Sequence, residues 1–210
     1  MADGKIVAEA AERTPQAHAA SLPSLVTRVL ADAGVTVRDL NAVAVSIGPG
    51  SFTGLRIGLG FAKGLVLARG LMLVGVPTLE ALAEVAGGTP GETICAALDA
   101  RKQEVYAAFF RAVDGGRVER LGPDEALAPT ILAERLEPSF VLVGDAAEAY
   151  ADVLVGRAVV RPFATHQPRG GVVGRLGSER LIAGEAASPG DVEPVYVRAP
   201  EAELHRSPSR

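Results

Sequence analysis

Apolar residues recur at helical spacing in residues 16–33, before the first continuous apolar run of the chain. Positions three and four apart share one face of a helix, so the pattern predicts an amphipathic helix that Gly34 ends. The residues on that face are Leu22, Leu25, Val26, Val29 and Leu30.

The rest of the first half alternates strand-like and helix-like segments. Residues 4–11, 41–47 and 71–76 read as strands; residues 53–69 and 78–86 read as helices, the second with Thr78 as its N-cap. Alternating strands and helices predict an α/β lobe with a layered sheet.

The second half is also mixed. Residues 93–100 and 104–113 predict consecutive strands, and the DGG of residues 114–116 predicts a hairpin turn. Further strands are expected at 140–145 and 157–162, and helices at 129–136, 145–152 and 170–184. We therefore expect a first lobe over residues 1–91, a second lobe over 92–200 and a polar tail over 201–210.

Charge, cysteine content and the length of the apolar runs limit the classes of function that the chain can have. The formal net charge is −4 and no run of Lys or Arg exceeds two residues, which argues against a chain that grips nucleic acid by itself. The single cysteine, Cys95, lies in an apolar run and is expected to be buried, which fits a reducing cytoplasm. We expect neither a membrane span nor a signal peptide.

The segment GPGSFTG follows the strand at 41–47 and opens the helix at 53–69. Backbone N–H groups at such a turn suit a phosphate, but the loop is neither a Walker A motif nor a dinucleotide fingerprint. A phosphate cradle and a tight strand-to-helix turn are both open readings. The loop residues are Gly48, Pro49, Gly50, Ser51, Phe52, Thr53 and Gly54.

The helix that follows is apolar nearly all round and carries Gly54, Gly58, Gly60 and Gly64. Each glycine inside a helix costs about 1 kcal/mol relative to alanine, so a row of them needs a reason. Glycines four apart share a face and let another backbone approach closely. The lobe's own sheet can cover one face of this helix, and a second chain can cover another.

Four segments carry a family resemblance: GPGSFTGLRIGLGFAKGL, GVPTLEALA, LDARKQEVYAAFF and EPVYVRAP. In this order they resemble the TsaB (YeaZ-like) proteins of bacteria, over the chain to about residue 200. The resemblance implies a two-lobed actin/sugar kinase/Hsp70-ATPase-like (ribonuclease H-like) fold.

The resemblance also implies a role. TsaB-type proteins are non-catalytic scaffolds that the catalytic paralogue TsaD requires, together with the ATPase TsaE, to place threonylcarbamoyl on N6 of adenosine 37 in tRNAs reading codons that begin with A. A homodimer is expected for the chain alone, with tRNA contacted only through the complex. We expect no cofactor, no metal and no catalytic residue.

The histidines agree with a non-catalytic role. The paralogue holds its metal with two histidines four residues apart on a helix, whereas the histidines here are His18, His166 and His205. A metal site from His18 and His166, or a Ser51 nucleophile with either, is conceivable but not favoured by spacing. A glycoprotease-like peptidase or a degenerate kinase-like ATPase stays the alternative function.

Two surfaces follow from the resemblance and the patterns. The helices at 16–33 and 54–69 are expected to dock the partner. The residues of this expected interface are His18, Leu22, Val26, Arg56, Gly58, Gly60, Lys63 and Gly64. Asp99, Arg101, Glu104 and Tyr106 are expected where the two lobes meet; an ordinary hairpin turn is the alternative for them.

The N-terminus departs from the family pattern. Family members open with a strand, an Asp-Thr-Ser turn and a second strand, whereas this chain begins MADGKIVAEA. The DG pair reads as the turn before a third strand, so about two strands and the first phosphate loop are missing. We expect either a start assigned too far downstream, with the strands encoded upstream in frame, or a shortened gene. Strands 4–11 and 41–47 would then have unpaired edges, and no acidic metal ligand would stand beside the glycine loop.

Overall fold

The computed structural model describes residues 1–2, 4–12 and 18–197, and of residues 18–20 it describes only the backbone. In chain order these ranges form α1 (His18–Asp32), β1 (Ala42–Gly48), α2 (Phe52–Arg69), β2 (Met72–Pro77), α3 (Thr78–Ala86), β3 (Thr93–Arg101), β4 (Glu104–Val113), β5 (Arg117–Arg120), β6 (Glu125–Leu127), α4 (Pro129–Arg135), β7 (Val141–Val143), α5 (Ala146–Ala149), α6 (Ala151–Leu154), β8 (Val159–Arg161) and α7 (Gly170–Ile182).

The first sheet pairs β1 and β2 in parallel, and two helices cover its two faces. Side chains alternate across a strand, so odd-numbered residues of β1 pack toward α2 and even-numbered ones toward α7. The α2 side buries Leu59, Ala62 and Val66 with Leu73 of β2. The α7 side buries Val76 and Leu176, with Ala44 packed against them.

The second sheet has the strand order β5-β4-β3-β7-β8, with β6 beside β4. Strands β3 and β4 are antiparallel, whereas β7 lies parallel to β3 and β8 parallel to β7. One face packs against α3, with Phe110 and Ile94 fully buried. The other face packs against α4, α5 and α6 around Cys95 and Leu142. Burial raises the pKa of the Cys95 thiol, which keeps it protonated.

Helices α3 and α7 are exchanged between the two sheets. α3 follows the first sheet directly but buries Leu79 and Leu82 against the second, whereas α7 comes last and packs on the first. The two helices also contact each other, with Ala81 beside Leu176. The expected lobe boundary after residue 91 falls between α3 and β3, so each half of the chain lends a helix to the other half's sheet.

The contact between α7 and β1 depends on a residue without a side chain. Gly177 is buried, and a Cβ placed there would collide with the Cβ of Ala44. Interiors have no spare volume to absorb such an overlap. This glycine therefore lets α7 lie close to the first sheet.

Most predicted elements are confirmed, one predicted strand is absent, and the predicted helix at 145–152 is divided into α5 and α6. α1, α2, α3, α7 and the strands from β1 to β4, β7 and β8 lie within a few residues of their predicted bounds, and DGG joins β4 to β5. The predicted strand at 4–11 does not form. Ala2 and Lys5 exchange two backbone hydrogen bonds around Gly4, and the chain then runs without a strand partner toward α7.

That N-terminal segment bonds to the start of α7. The Glu9 carboxylate accepts a hydrogen bond from the Gly171 N–H at 2.6 Å and pairs with Arg169. The apolar pattern of residues 4–11 predicted a strand, but the segment instead contacts the start of α7 through Glu9 and through Ile6, which lies against Gly171. Among the described residues, β1 has β2 as its only strand partner.

Thr78 is not an N-cap. Pro77 occupies that position, and the Thr78 hydroxyl instead lies 2.7 Å from the Ser46 hydroxyl. The expected tail at 201–210 lies outside the described residues. Of the residues that the structure does describe, no helix is long and apolar enough to cross a membrane.

Replacing Gly177 with Ala is expected to lower stability. Overpacking against Ala44 costs about 1–3 kcal/mol, which exceeds the roughly 1 kcal/mol that alanine gains over glycine inside a helix. Gly60→Ala is the matched control, because a Cβ at Gly60 meets nothing within 4 Å. Denaturant unfolding should shift in opposite directions for the two variants. A gain of stability in Gly177→Ala as large as that in Gly60→Ala would refute the close contact.

Candidate functional site

A cleft of about 940 Å³ lies between the glycine loop and the β3–β4 hairpin. Its floor is formed by Ser46 and Thr78, where the chain passes from the first sheet into α3. One wall is residues 49–55, and the other is formed by the end of β3 with Tyr106 and Asp145. Tyr196, from the C-terminal segment, also lines it.

The glycine loop is held by contacts within the chain. Gly48 has φ +115°, and a Cβ there would lie 2.7 Å from the Val195 carbonyl oxygen, so only glycine fits. Ser51 is the N-cap of α2, where its hydroxyl accepts a hydrogen bond from the Gly54 N–H at 3.3 Å. A donor that a phosphate would use is therefore taken up by Ser51.

An aromatic and cationic cluster stands at the start of α2. The Arg56 guanidinium carbon lies 4.2 Å from the centre of the Phe52 ring, and its Nε donates to the Tyr196 hydroxyl at 3.2 Å. The Phe52 and Tyr196 rings are 5.4 Å apart. These contacts hold Arg56 beside the cleft while Phe52 and Arg56 stay exposed.

The hairpin wall ends in a turn with unusual backbone angles. Arg101, Lys102 and Gln103 have φ of 63°, 54° and 61°, a region that residues other than glycine rarely adopt. The Asp99 carboxylate accepts from the Arg101 N–H at 2.8 Å and pairs with the Arg101 side chain at 3.0 Å. Strain of this kind persists where neighbouring contacts enforce it.

Those contacts come from the loop after β7. Asp145 accepts a hydrogen bond from the Asp99 N–H at 2.8 Å, and the Tyr150 hydroxyl donates to the Asp99 carboxylate at 3.0 Å. Gly144, at φ +121°, brings the loop against the Ala97 carbonyl, where a Cβ would clash. Burial raises the pKa of the Asp145 carboxyl, the Asp99 N–H lowers it, and the Asp99 carboxylate raises it further.

Three of the four residues expected between the lobes line the cleft, and the fourth does not. Asp99, Arg101 and Tyr106 line the cleft opposite the glycine loop, whereas Glu104 is not among the lining residues; its carbonyl lies 3.3 Å from the Tyr150 hydroxyl. Folding brings Asp99 and Asp145 to the wall of the cleft that faces the glycine loop. Both carboxylates already accept hydrogen bonds that hold the β3–β4 turn, Asp145 from the Asp99 N–H and Asp99 from the Arg101 N–H.

The residues of the expected partner surface are partly exposed to solvent and partly half-buried. Leu22 and Val26 lie on the half-buried face of α1, which packs against α2, and the His18 side chain lies outside the described residues. Arg56, Gly60 and Gly64 are exposed, and Gly58 and Lys63 are half-buried. A Cβ at Gly58, Gly60 or Gly64 would meet nothing within 4 Å. One turn on, Leu67 is 70% exposed. We call the exposed side of α2 with Arg56, Gly60, Gly64 and Leu67 the α2 face.

Of the histidine sites that the sequence left open, the structure describes only the His166 and Ser51 side chains, because the His18 side chain lies outside the described residues. The His166 ring bonds to Thr165 and to the Pro162 carbonyl and does not line the cleft. In the part of the chain that the structure describes, no group of three or more His, Cys, Asp or Glu residues is placed to hold a metal ion.

Sequence reasoning missed Asp145, Tyr150 and Tyr196 as parts of the site. Asp145 had a usable signal, since it follows the parallel strand β7, and ligands of α/β sheets bind at the carboxyl ends of strands. Tyr196 lies in the EPVYVRAP segment, but nothing local indicates that it reaches the start of α2.

Comparison with known proteins decides the family. Residues 6–153 match the family described as "TsaD: tRNA N6-adenosine threonylcarbamoyltransferase". The tRNA threonylcarbamoyladenosine biosynthesis protein TsaB of Escherichia coli K12 is 33% identical over 192 residues, which cover 89% of this chain and 83% of that protein. The chain belongs to the TsaB (YeaZ-like) branch of this family.

Two further TsaB-like proteins agree. The TsaB of Bacillus subtilis 168 is 29% identical over 97% of this chain and 89% of its own. The structure of YeaZ from Pseudomonas aeruginosa superposes with a TM-score of 0.76 at 28% identity, over 88% of this chain and 86% of that chain. The TsaB-like chain described here therefore has the actin-like (ribonuclease H-like) α/β fold that the resemblance implied.

Replacing Gln103 with Gly is expected to stabilise the hairpin. A residue with a side chain pays about 1–2 kcal/mol in the left-handed region, and glycine avoids most of this at a smaller cost in unfolded-state entropy. Gln167→Gly is the control, since Gln167 is not at positive φ and should lose stability instead. Thermal unfolding measures both. A lower melting temperature for Gln103→Gly would show that the turn is not strained.

Proposed function

We propose that this TsaB-like chain is the non-catalytic scaffold subunit that a TsaD-type subunit requires to transfer threonylcarbamoyl to N6 of adenosine 37 in tRNAs reading codons that begin with A. The observation that carries the proposal is the similarity along most of the chain to proteins named for tRNA threonylcarbamoyladenosine biosynthesis. The site of action would be the cytoplasm.

The α2 face supports docking as the mode of action. Its glycines expose the helix backbone, and Leu67 adds exposed apolar area, whereas the opposite side buries Leu59, Ala62 and Val66 in the lobe. A helix that keeps unfavourable glycines on a side where nothing crowds them suits close contact with another protein backbone. We assign the TsaD-type subunit to this face, with a second copy of the chain occupying it when TsaD is absent.

The remaining partners are proposed from the family resemblance, and the net charge supports the indirect contact with tRNA. A net charge of −4 leaves the chain without a surplus of cations for the tRNA backbone, so tRNA is contacted through the complex. A TsaE-type ATPase joins the assembly of TsaB and TsaD. Neither partner calls for a metal or nucleotide on this chain.

A degenerate kinase-like ATPase is the second candidate, and the cleft is the observation that favours it. Asp99 and Asp145 face the glycine loop across this cleft, as a nucleotide-binding site would require. Against it stands the use of both carboxylates to hold the hairpin turn, and of the Ser51 hydroxyl to cap α2.

Gly64→Leu is expected to weaken binding to the TsaD-type subunit about 10-fold or more, because overpacking an interface by 1.4 kcal/mol gives that factor. The free chain should stay folded, since a side chain at this position points into open space and leucine favours the helix. Isothermal titration calorimetry measures the affinity.

Gly64→Ala is the control for helix propensity without bulk, and its affinity should fall far less. Formation of threonylcarbamoyladenosine by the reconstituted proteins should follow the affinities. If Gly64→Leu binds as tightly as the parent, the docking surface lies elsewhere on the chain.

A further inference from the structure

The crossing of α3 and α7 carries a cluster of charged side chains that no step of the proposed function uses. Glu84 of α3 is at its centre, with its side chain only 1% exposed. It pairs with Arg175 of α7 and, at 3.2 Å, with Arg117 of β5. We call Glu80, Glu84, Arg117, Arg175, Glu179 and Arg180 the α3–α7 clasp.

The other pairs of the clasp join the same elements. Glu179 of α7 accepts from Arg117 at 2.7 Å and from Arg175 at 3.2 Å. Arg180 of α7 donates to both oxygens of the Glu80 carboxylate at 2.8 Å. Every residue of α7 in the clasp therefore bonds to α3 or β5.

These pairs join two packed parts of the molecule. We call the first sheet with α2 and α7 the first body, and the second sheet with α3 the second body. α7 is packed on the first sheet together with α2, whereas α3 and β5 belong to the core of the second sheet. The apolar contact at this crossing places Ala81 of α3 against Leu176 of α7, in a core that also includes Val76 of β2. The hydrogen bonds and ion pairs described above between α7 and α3 or β5 are all formed by charged side chains.

The crossing is mechanically connected to the cleft. α3 begins at Thr78 on the cleft floor, and Glu84 lies six residues further, about 9 Å along the helix. A rotation of α7 against α3 therefore moves the glycine loop relative to the hairpin. Hinges of two-body proteins work by small shifts of packed helices of this kind.

Stability alone does not explain a buried carboxylate in this position. Burial raises the pKa of the Glu84 carboxyl, whereas Arg175 and Arg117 lower it, so the cost of taking this carboxylate out of water opposes the attraction of its pairs. Well-packed apolar residues often replace buried ion pairs without loss, whereas ion pairs specify one geometry.

We propose that the α3–α7 clasp fixes the angle between the two bodies and thereby sets the width of the cleft. Glu84 is the positioning residue, because it joins α3 to both α7 and β5 and is the most deeply buried carboxylate of the clasp. The two bodies would otherwise pivot at the two places where the chain crosses between them, Pro77–Thr78 and residues 162–169.

The test measures the distance between the two bodies by pulsed electron–electron double resonance. Spin labels at Ala68→Cys on α2 and Ala149→Cys on α5 report on the first and second body, since both positions are exposed. Cys95 is fully buried and stays unlabelled. The labelled chain is diluted with excess unlabelled chain, so that a second copy on the α2 face adds no distance, and the parent should then give one narrow distance distribution.

Glu84→Gln should shift the mean distance by about 1–2 Å, the scale of interface helix shifts, or add a second population. Arg135→Met is the control, because its pair with Glu125 lies within the second body, and it should change nothing. An unchanged distribution in folded Glu84→Gln would overturn the proposal.

A second variant keeps the test decisive if Glu84→Gln does not fold. Arg117→Met removes one partner each from Glu84 and Glu179 but leaves the Arg175 pairs in place. It should shift or broaden the distribution in the same direction. A distribution identical to the parent's in this variant would equally refute the clasp, whatever the change in melting temperature.

Discussion

The exchange of α3 and α7 between the two sheets is the constraint on which this architecture depends. Each sheet has one face covered by a helix from the other half of the chain, since α3 covers the second sheet and α7 the first. The exchange requires the two helices to cross. Gly177 makes room for α7 on β1, and the buried Glu84 carboxylate is paired at the crossing. Packing and charge thus act on the same pair of helices.

This arrangement leaves two surfaces with different characters. The cleft above the crossing has its polar groups committed: Ser51 caps α2, and Asp99 and Asp145 hold the left-handed turn of the hairpin. The α2 face has exposed glycines and an exposed Leu67 with nothing packed on them in the described chain. The first surface is satisfied internally and the second is not, which is why the proposed function is assigned to the α2 face.

Local pattern predicted most of the fold, because helical and strand periodicity in α1, α2, β3 and β4 agrees with their packing. It failed at residues 4–11, where a charged contact between Glu9 and the start of α7 replaced pairing in a sheet. It also placed Thr78 as a cap although its hydroxyl is bound to Ser46. The site was predicted in part: the glycine loop and Asp99 were found, but Asp145 and Tyr196 reach it through contacts across long stretches of sequence, which no local pattern reveals.

The central claim is that the chain acts through the α2 face and not through the cleft carboxylates. The direct measurement is the threonylcarbamoyladenosine content of tRNA, by mass spectrometry, in bacteria depleted of their own TsaB and supplied with variants of this chain at equal levels. The account predicts near-parental modification with the nearly isosteric double variant Asp99→Asn/Asp145→Asn, and modification at the depleted level with Gly64→Leu. Loss of modification in the carboxylate variant, with normal modification in Gly64→Leu, would contradict it.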